Sequence, residues 1–587
     1  MDLKSKWGEE LDRLHPLPEY PRMLMQRNSF KNLNGIWEYQ ILPERVYPME
    51  KDWHEIVVPF PLGSLLSESP ENLNPGFVLW YRLRFPYEAK EKHTLLHFEA
   101  VDQCCSVYFN GQLVGSHQGG YAPFSFEVTS LLKKKKNEIL LMVTDESDAG
   151  DYAFGKQRLK HGGMWYTPCA GIWQTVWMED ISDHAVTDLE VSCNFDRKSV
   201  TVKLEGNFAH AMIIAAEKGQ LVYQGVAEDK TCTFTIDTPH VWSPEDPFLY
   251  DLYVQTEDDI VKSYFAMRKV SREVDQDGIA RFCLNNRPLF LSGLLDQGLS
   301  CDGNMTYPSD DQMVFEISSC KALGFNMLRK HVKVEMQRWY YHCDRLGMLV
   351  IQDMPNGGRA YDLPTTKYLP HIGVTRLNDH DNPRFGRADE ALQKLYYKEL
   401  DDMLKLLKGH PSIVIWTAFN EGWGQFEAPE VCEHIRAVDN SRLIDAASGW
   451  HDQGCGDFYS RHLYFTKNVM PKKLDYRILL LSEFGGYAYV EPEHCQVEKL
   501  YGYKTFRDRP SFEAAFLQIY DDMILPYIRK GLCGCVYTQL SDVEDEANGL
   551  FTADRKVLKV SRKRTRMMNE RCCRRLRNTG LITKEDI

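Results

Sequence analysis

The chain has 587 residues, which at about 150 residues per domain points to about four domains, or three if one is a large α/β barrel, and excludes a single small module. Its 43% hydrophobic, 12% aromatic and 26% charged residues are near globular averages, so several cores can be buried. With 83 acidic against 70 basic residues the net charge is −13, and neither nucleic acid nor an anionic membrane is expected as a partner.

Met1–Trp7 lacks the apolar centre of a signal peptide, and the longest pure aliphatic run, Ile478–Leu481, is far below the ~20 residues that span a bilayer. A soluble, cytoplasmic protein is expected. The 16 cysteines are scattered without any Cys-x-x-Cys, so they read as reduced structural thiols, and no metal site is predicted.

Residues 28–181 are short β-type runs broken by turns, among them Gly35–Tyr39, Leu79–Leu83 and Leu95–Phe98. Asn110-Gly111 between Val107–Phe109 and Gln112–Val114 is a strong hairpin signal. This stretch predicts a β-sandwich. Residues 183–270 continue in strands without a long helical period, at the size of a second, immunoglobulin-like sandwich.

After about residue 280 the pattern becomes helix, glycine, apolar strand. Ser309 and Gln312 suggest a capping box, the helix runs to Leu323, Gly324 stops it, and Phe325–Leu328 reads as a strand. The unit repeats with a helix at 335–346, Gly347 and Met348–Ile351, then with a helix at 389–408, Gly409, Pro411 and Ile413–Trp416. Aliphatic strands alternating with helices mean a parallel sheet covered on both faces, and the length suits a (β/α)8 barrel. A doubly wound sheet is the alternative, weakened because no nucleotide-binding glycine motif follows any strand. The basic stretch Ser561–Arg577 reads as a solvated terminal helix.

In a parallel barrel the chemistry lies past the C-terminal ends of the strands. Ile413–Trp416 leads to Asn420-Glu421-Gly422-Trp423-Gly424, and Ile478–Leu481 leads to Ser482-Glu483-Phe484-Gly485-Gly486. Two glutamates at strand ends, each followed by glycine, are what glycoside hydrolysis needs: one carboxyl protonated to serve the leaving oxygen, the other ionised to attack the anomeric carbon. Trp423, Trp450 and Tyr537, near predicted strand ends, are candidate platforms for the sugar's C–H faces.

With these residues on hand, the sequence resembles glycoside hydrolase family 2, the family of β-galactosidases and β-glucuronidases, over nearly its whole length. The match is carried by Asn32–Trp37, Gly171–Trp177, Gly324–Arg329, His410–Ile413, Asn420-Glu421 and Ser482–Gly486, in that order. The resemblance implies a multidomain β plus α/β architecture: a jelly-roll-like sugar-binding sandwich (1–181), an immunoglobulin-like sandwich (182–272) and a catalytic (β/α)8 TIM barrel (273–587). That division agrees with the one read from pattern.

The resemblance further implies that Glu421 is the general acid/base and Glu483 the nucleophile of a retaining reaction. Asn420 would bind the substrate's 2-hydroxyl, and Tyr464 would hydrogen-bond the nucleophile with His462 beside it. Asp296 and His331 occupy positions where the family holds sugar hydroxyls, as does Arg329, which alternatively orients the nucleophile. The Asn-x-Lys by which β-glucuronidases bind a uronate corresponds here to Glu546-Ala547-Asn548, amid Asp542, Glu544 and Asp545, and such an acidic cluster would repel a carboxylate. The His-Glu after the first barrel strand of β-galactosidases is Asp296-Gln297 here. The expectation is a retaining exo-β-glycosidase acting on neutral β-glycosides, galactosides first, without cofactor or metal. The alternatives are a β-glucuronidase, another glycosidase of the family, or a non-catalytic carbohydrate-binding protein. Beyond a carbohydrate, self-association into a homo-oligomer is left open as the only partner.

Overall fold

A computed structural model of the chain describes residues 3–44, 46–472 and 475–577. In the N-terminal sandwich a six-stranded antiparallel sheet (His54–Val58, Gly35–Pro43, Phe77–Phe85, Asn137–Thr144, Cys104–Phe109, Gln112–Gln118, in spatial order) faces a four-stranded one (Lys31–Asn32, Val176–Ile181, His93–Phe98, Phe124–Glu127). Their inner faces pack Trp37, Tyr81, Leu96, Phe98, Val107 and Leu141. The hairpin turn falls at Asn110-Gly111, both in the left-handed region with φ of +52° and +86° as a type I′ turn requires. Seven further strands, three against four, form the immunoglobulin-like sandwich between Val186 and Phe265.

The remainder is a parallel barrel of eight strands: β1 Leu291–Asp296, β2 Met327–Lys330, β3 Leu349–Asp353, β4 Ile413–Asn420, β5 Leu443–Ser448, β6 Phe458–Leu463, β7 Ile478–Gly485 and β8 Leu532–Thr538. They run in the order β5-β4-β3-β2-β1-β8-β7-β6, as a barrel requires and a doubly wound sheet does not. The seam between β5 and β6 is bridged by Asp457, whose N–H donates to the Ile444 carbonyl (2.7 Å) and whose carboxylate accepts from the Ile444 N–H (2.9 Å).

The two-residue period of each strand divides its side chains between two cores. Leu291, Leu295, Met327, Ile351, Ile415, Leu480 and Val536 fill the barrel interior, plugged below by Phe282. Leu294, Leu328, Val350, Trp416, Leu481 and Tyr537 face the surrounding helices. Phe282 belongs to a clip in which Val270–Val274 pairs with Ala280–Leu284, so this clip straddles the expected boundary at residue 272.

Ser309 caps the helix Asp310–Ala322, accepting from the Gln312 N–H, but the Gln312 side chain donates to Glu316, so only half of the capping box forms. The strand after Gly324 begins at Met327 rather than Phe325. The basic stretch corrects its expectation: Arg562–Arg577 is the barrel's last helix, burying Met568, Cys572 and Leu576, and Asn569 accepts from the Ser292 hydroxyl of β1 at 2.6 Å. Arg562, Arg564, Arg566, Arg571, Arg574 and Arg575 are exposed on its outer face. No helix among the described residues is long and apolar enough to cross a membrane.

Candidate active site

Glu421 follows the last residue of β4 with φ of +52°, a conformation that costs a non-glycine residue about 1 kcal/mol or more and persists only where its surroundings enforce it. Here its N–H donates to the Ser448 carbonyl of β5 (3.0 Å), and the Trp450 indole donates to the Glu421 carbonyl (3.1 Å). Glu483 points inward from β7. Gly486, at φ of +61°, leaves room that a Cβ would take from Tyr503, which stacks on Tyr464 with ring centres 3.7 Å apart.

The two carboxyls meet across His462 of β6. Its Nδ1 lies 2.8 Å from Glu421 Oε1 and its Nε2 3.4 Å from Glu483 Oε1. One ligand-type atom from each of the three residues lies within 4.8 Å of the other two. Burial pushes the imidazole down to about 3, so it is neutral and connects the glutamates without adding charge. Glu483 accepts from Arg329 Nη1 (3.0 Å) through Oε1 and from the Tyr464 hydroxyl through Oε2; that hydroxyl also lies 3.0 Å from Thr538 Oγ1. Arg329 is held on Asp353 (2.9 Å) and donates to Asn420 Oδ1 (2.7 Å). With its oxygen so occupied, the Asn420 amide nitrogen is buried without a hydrogen-bond partner among the described residues and is free to donate to a ligand.

Burial sets the titration of Glu421. It raises the Glu421 carboxyl to about 7, against the pull of the positive charges of Lys156, Arg329 and Lys367 and with that of Glu546 adding to it. A carboxyl with this value is protonated in weak acid and ionised in weak base, as a group that first gives and then takes a proton must be. His331, hydrogen-bonded through Nδ1 to Asp353 (3.0 Å), is also held neutral by burial.

The structure brings together Glu421, Glu483, Asn420, Tyr464, His462, Arg329, His331 and the two tryptophans. Trp423 packs on Trp165 (4.8 Å between centres) and stands 6.3 Å from the His331 ring; Trp450 meets His462 edge-on. Two expected residues lie elsewhere. Tyr537 points outward from β8 into the helix layer against Phe484 and Phe516, and its neighbour Thr538 faces the site instead. Asp296 also points outward, binding Lys330 Nζ (2.7 Å) and the Gly298 N–H (2.8 Å). Alternation along a strand explains both: a side chain one position away lies on the opposite face.

The acidic cluster is mostly structural. Asp542 pairs with Lys559 (2.7 Å), Glu544 accepts from the Thr167 N–H (2.9 Å), and Asp545 accepts from the Gly163 and Lys499 N–H groups. Glu546 is left beside the site, accepting from the Tyr166 hydroxyl. Asp296 is committed to Lys330 (2.7 Å), and the Gln297 amide beside it donates to Gln539 (2.7 Å).

Sequence reasoning missed Lys156, Trp165 and Tyr166, which come from the N-terminal sandwich. The available signal was the stretch between Thr144 and Gly171, which carries one short 3₁₀ turn and no strand, because a loop this long inside a compact domain is usually functional.

Models of three domains of one family match the chain in order: "Glycosyl hydrolases family 2, sugar binding domain" over residues 58–180, "Glycosyl hydrolases family 2" over 173–268, and "Glycosyl hydrolases family 2, TIM barrel domain" over 276–481. A β-galactosidase of Thermoanaerobacter pseudethanolicus is 25% identical over 461 residues, covering 72% of this chain and 56% of its own length. One from Halalkalibacterium halodurans is 23% identical over 536 residues, covering 83% and 48%. The chain thus spans about half the length of the curated relatives it matches. Among solved structures, a β-glucuronidase of an uncultured Clostridium superposes with a TM-score of 0.73 at 17% identity, over 94% of this chain and 99% of that one. The β-D-glucuronidase of Dictyoglomus thermophilum gives 0.72 at 18%, over 96% and 100%.

Proposed function

Since the chain belongs to glycoside hydrolase family 2, we propose that it is a retaining exo-β-glycosidase in which Glu483 is the nucleophile and Glu421 the acid/base. The observation that carries this reading is the pairing of the two glutamates across one neutral histidine, within 4.8 Å of one another. That closeness agrees with the ~5–5.5 Å carboxyl separation of retaining enzymes, whereas inverting enzymes leave ~6.5–9.5 Å for a water.

In the first step a Glu483 oxygen attacks the anomeric carbon while Glu421 gives its proton to the departing glycosidic oxygen, leaving an ester between sugar and Glu483. His462 bonds one Glu421 oxygen, so the proton is carried by the other, toward the leaving group. Forming the ester removes the Glu483 charge; Glu421, now ionised, takes a proton from water, whose oxygen attacks the anomeric carbon and regenerates Glu483 with retained configuration. The Asn420 amide donor supports contact with the 2-hydroxyl, and Arg329 and Tyr464 orient Glu483.

For the glycone we favour a neutral hexoside, galactosides first. Relatives named as β-galactosidases and Asn548 at the position of the uronate-binding lysine support it. A panel of nitrophenyl β-glycosides at several pH values tests the reading. Trapping with a 2,4-dinitrophenyl 2-deoxy-2-fluoro-glycoside should label Glu483, and an inert protein that still binds sugar would instead be the non-catalytic alternative.

A further inference from the structure

Lys156 reaches the site from the N-terminal sandwich, and its side chain is 10% exposed. Its nearest opposite charge is Glu546, 3.8 Å away, beyond hydrogen-bonding distance, and it lies over the Tyr166 ring 5.1 Å from the centre. None of the three donors of its ammonium has a hydrogen-bond acceptor among the described residues. A largely covered ammonium whose donors meet no protein acceptor is placed to donate to a ligand.

Glu546, more deeply buried at 4% exposure, accepts from the Tyr166 hydroxyl through Oε2 and from Asn548 Nδ2 (3.2 Å) through Oε1, which leaves lone pairs on both oxygens. Both charges act on the reaction centre. Among the charges on Glu421, that of Lys156 is the strongest, and Glu546 opposes it; Lys156 also acts on His331.

We infer that Lys156 and Glu546 together bind one hydroxyl group of the non-reducing sugar, the ammonium donating to its oxygen and the carboxylate accepting its proton. This deepens the glycosidase reading and rests on it. The 3.8 Å gap is too long for a direct hydrogen bond but allows one oxygen at normal hydrogen-bonding distance from both groups. A hydroxyl is the group that serves as acceptor and donor at once. A uronate carboxylate would satisfy Lys156 but meet Glu546 as a like charge, so the pair selects a neutral glycone. In this arrangement the sandwich supplies half of a specificity contact and the loop after β8 the other half.

The test uses 2,4-dinitrophenyl β-glycosides, whose leaving group needs no proton from Glu421, so that a change in the acid does not enter. The parent galactoside and glucoside, their 3-, 4- and 6-deoxy analogues and the glucuronide are assayed with the full-length enzyme, Lys156→Met, Glu546→Gln and the double variant. Each single variant should lose about 10- to 100-fold in kcat/KM on the better parent sugar, as expected for a hydrogen bond to a charged group. One deoxy analogue should be slowed similarly with the unmodified enzyme and lose less than about threefold more in either variant. Equal losses across parent and all deoxy analogues overturn the inference, as does a glucuronide that is the best substrate and is the one Lys156→Met abolishes. If Lys156→Met does not fold, Glu546→Gln decides by the same comparison. Absence of turnover with every glycoside and of Glu483 labelling would sink the glycosidase reading itself, whereas turnover without the deoxy pattern sinks only this inference.

Discussion

His462 Nδ1 stands 2.8 Å from Glu421 Oε1, and burial keeps that imidazole neutral. The other ring nitrogen lies 3.4 Å from Arg329 Nη1, which only donates, 3.2 Å from Ser448 Oγ and 3.4 Å from Glu483 Oε1. A proton on Nδ1, donated to Glu421, leaves the Nε2 lone pair to accept from Arg329 and Ser448. This fixes which Glu421 oxygen is left for the substrate. Replacing His462 with Phe should slow alkyl glycosides by about 10²–10³-fold, in the range of general acid catalysis, and dinitrophenyl glycosides much less. Equal losses for both leaving groups would assign the histidine to packing alone.

Because Glu421 titrates near 7, kcat/KM for glycosides with poor leaving groups should fall as pH rises through that value, where the acid loses its proton. Lys367 lowers the Glu421 pKa, so Lys367→Met should raise it and move the alkaline limb to higher pH. A limb that moves down or stays fixed in the pH profile contradicts this assignment.

The same displacement predicts a stability effect. Glu421 rises from 4.5 to about 7 on folding, so the native state holds the proton more tightly and stability is lost as pH climbs through that window. Above it the ionised, buried carboxylate costs about 3 kcal/mol, the unit shift converted at ~1.4 kcal/mol each. Glu421→Gln should therefore be more stable than the parent protein at pH 8 by up to about that amount and gain nothing at pH 4. Urea melts at the two pH values decide.

Glu483→Ala should abolish turnover, with azide restoring part of it and giving the α-glycosyl azide. Azide rescue of Glu421→Ala should give the β-anomer instead. Reversed product anomers, read by NMR, would exchange the two roles.

Asn569 joins the last helix to the barrel, accepting from Ser292 Oγ and donating to the Leu323 carbonyl (2.9 Å). Asn569→Ala leaves both buried groups unpaired and should cost about 1–3 kcal/mol. Removing the chain after Val560 should prevent folding altogether, since Met568, Cys572 and Leu576 cover the outer layer beside β1. An unchanged thermal midpoint for the truncated protein would restore the view of a solvated tail.

What could be read from the sequence was what local periodicity encodes. Aliphatic runs ending in Asn420-Glu421 and Ser482-Glu483 identify two strands and put their acids at the barrel mouth, because the hydrophobic run, the strand and its C-terminal end are one continuous stretch of chain. Tertiary structure alone decided the face on which each neighbour lies: strand alternation is visible locally, but its absolute phase is set by barrel closure, so Thr538 rather than Tyr537 meets Tyr464, and Asp296 turns outward to Lys330. It also decided what arrives from afar. His462 joins the two glutamates because β6 lies beside β7 across the seam from β5, and Lys156 pairs with Glu546 and acts on Glu421 through its charge because a loop of the sandwich folds over the barrel mouth. Contacts of such sequence separation arise from the packing of whole domains and carry no periodic signature in the residues that make them.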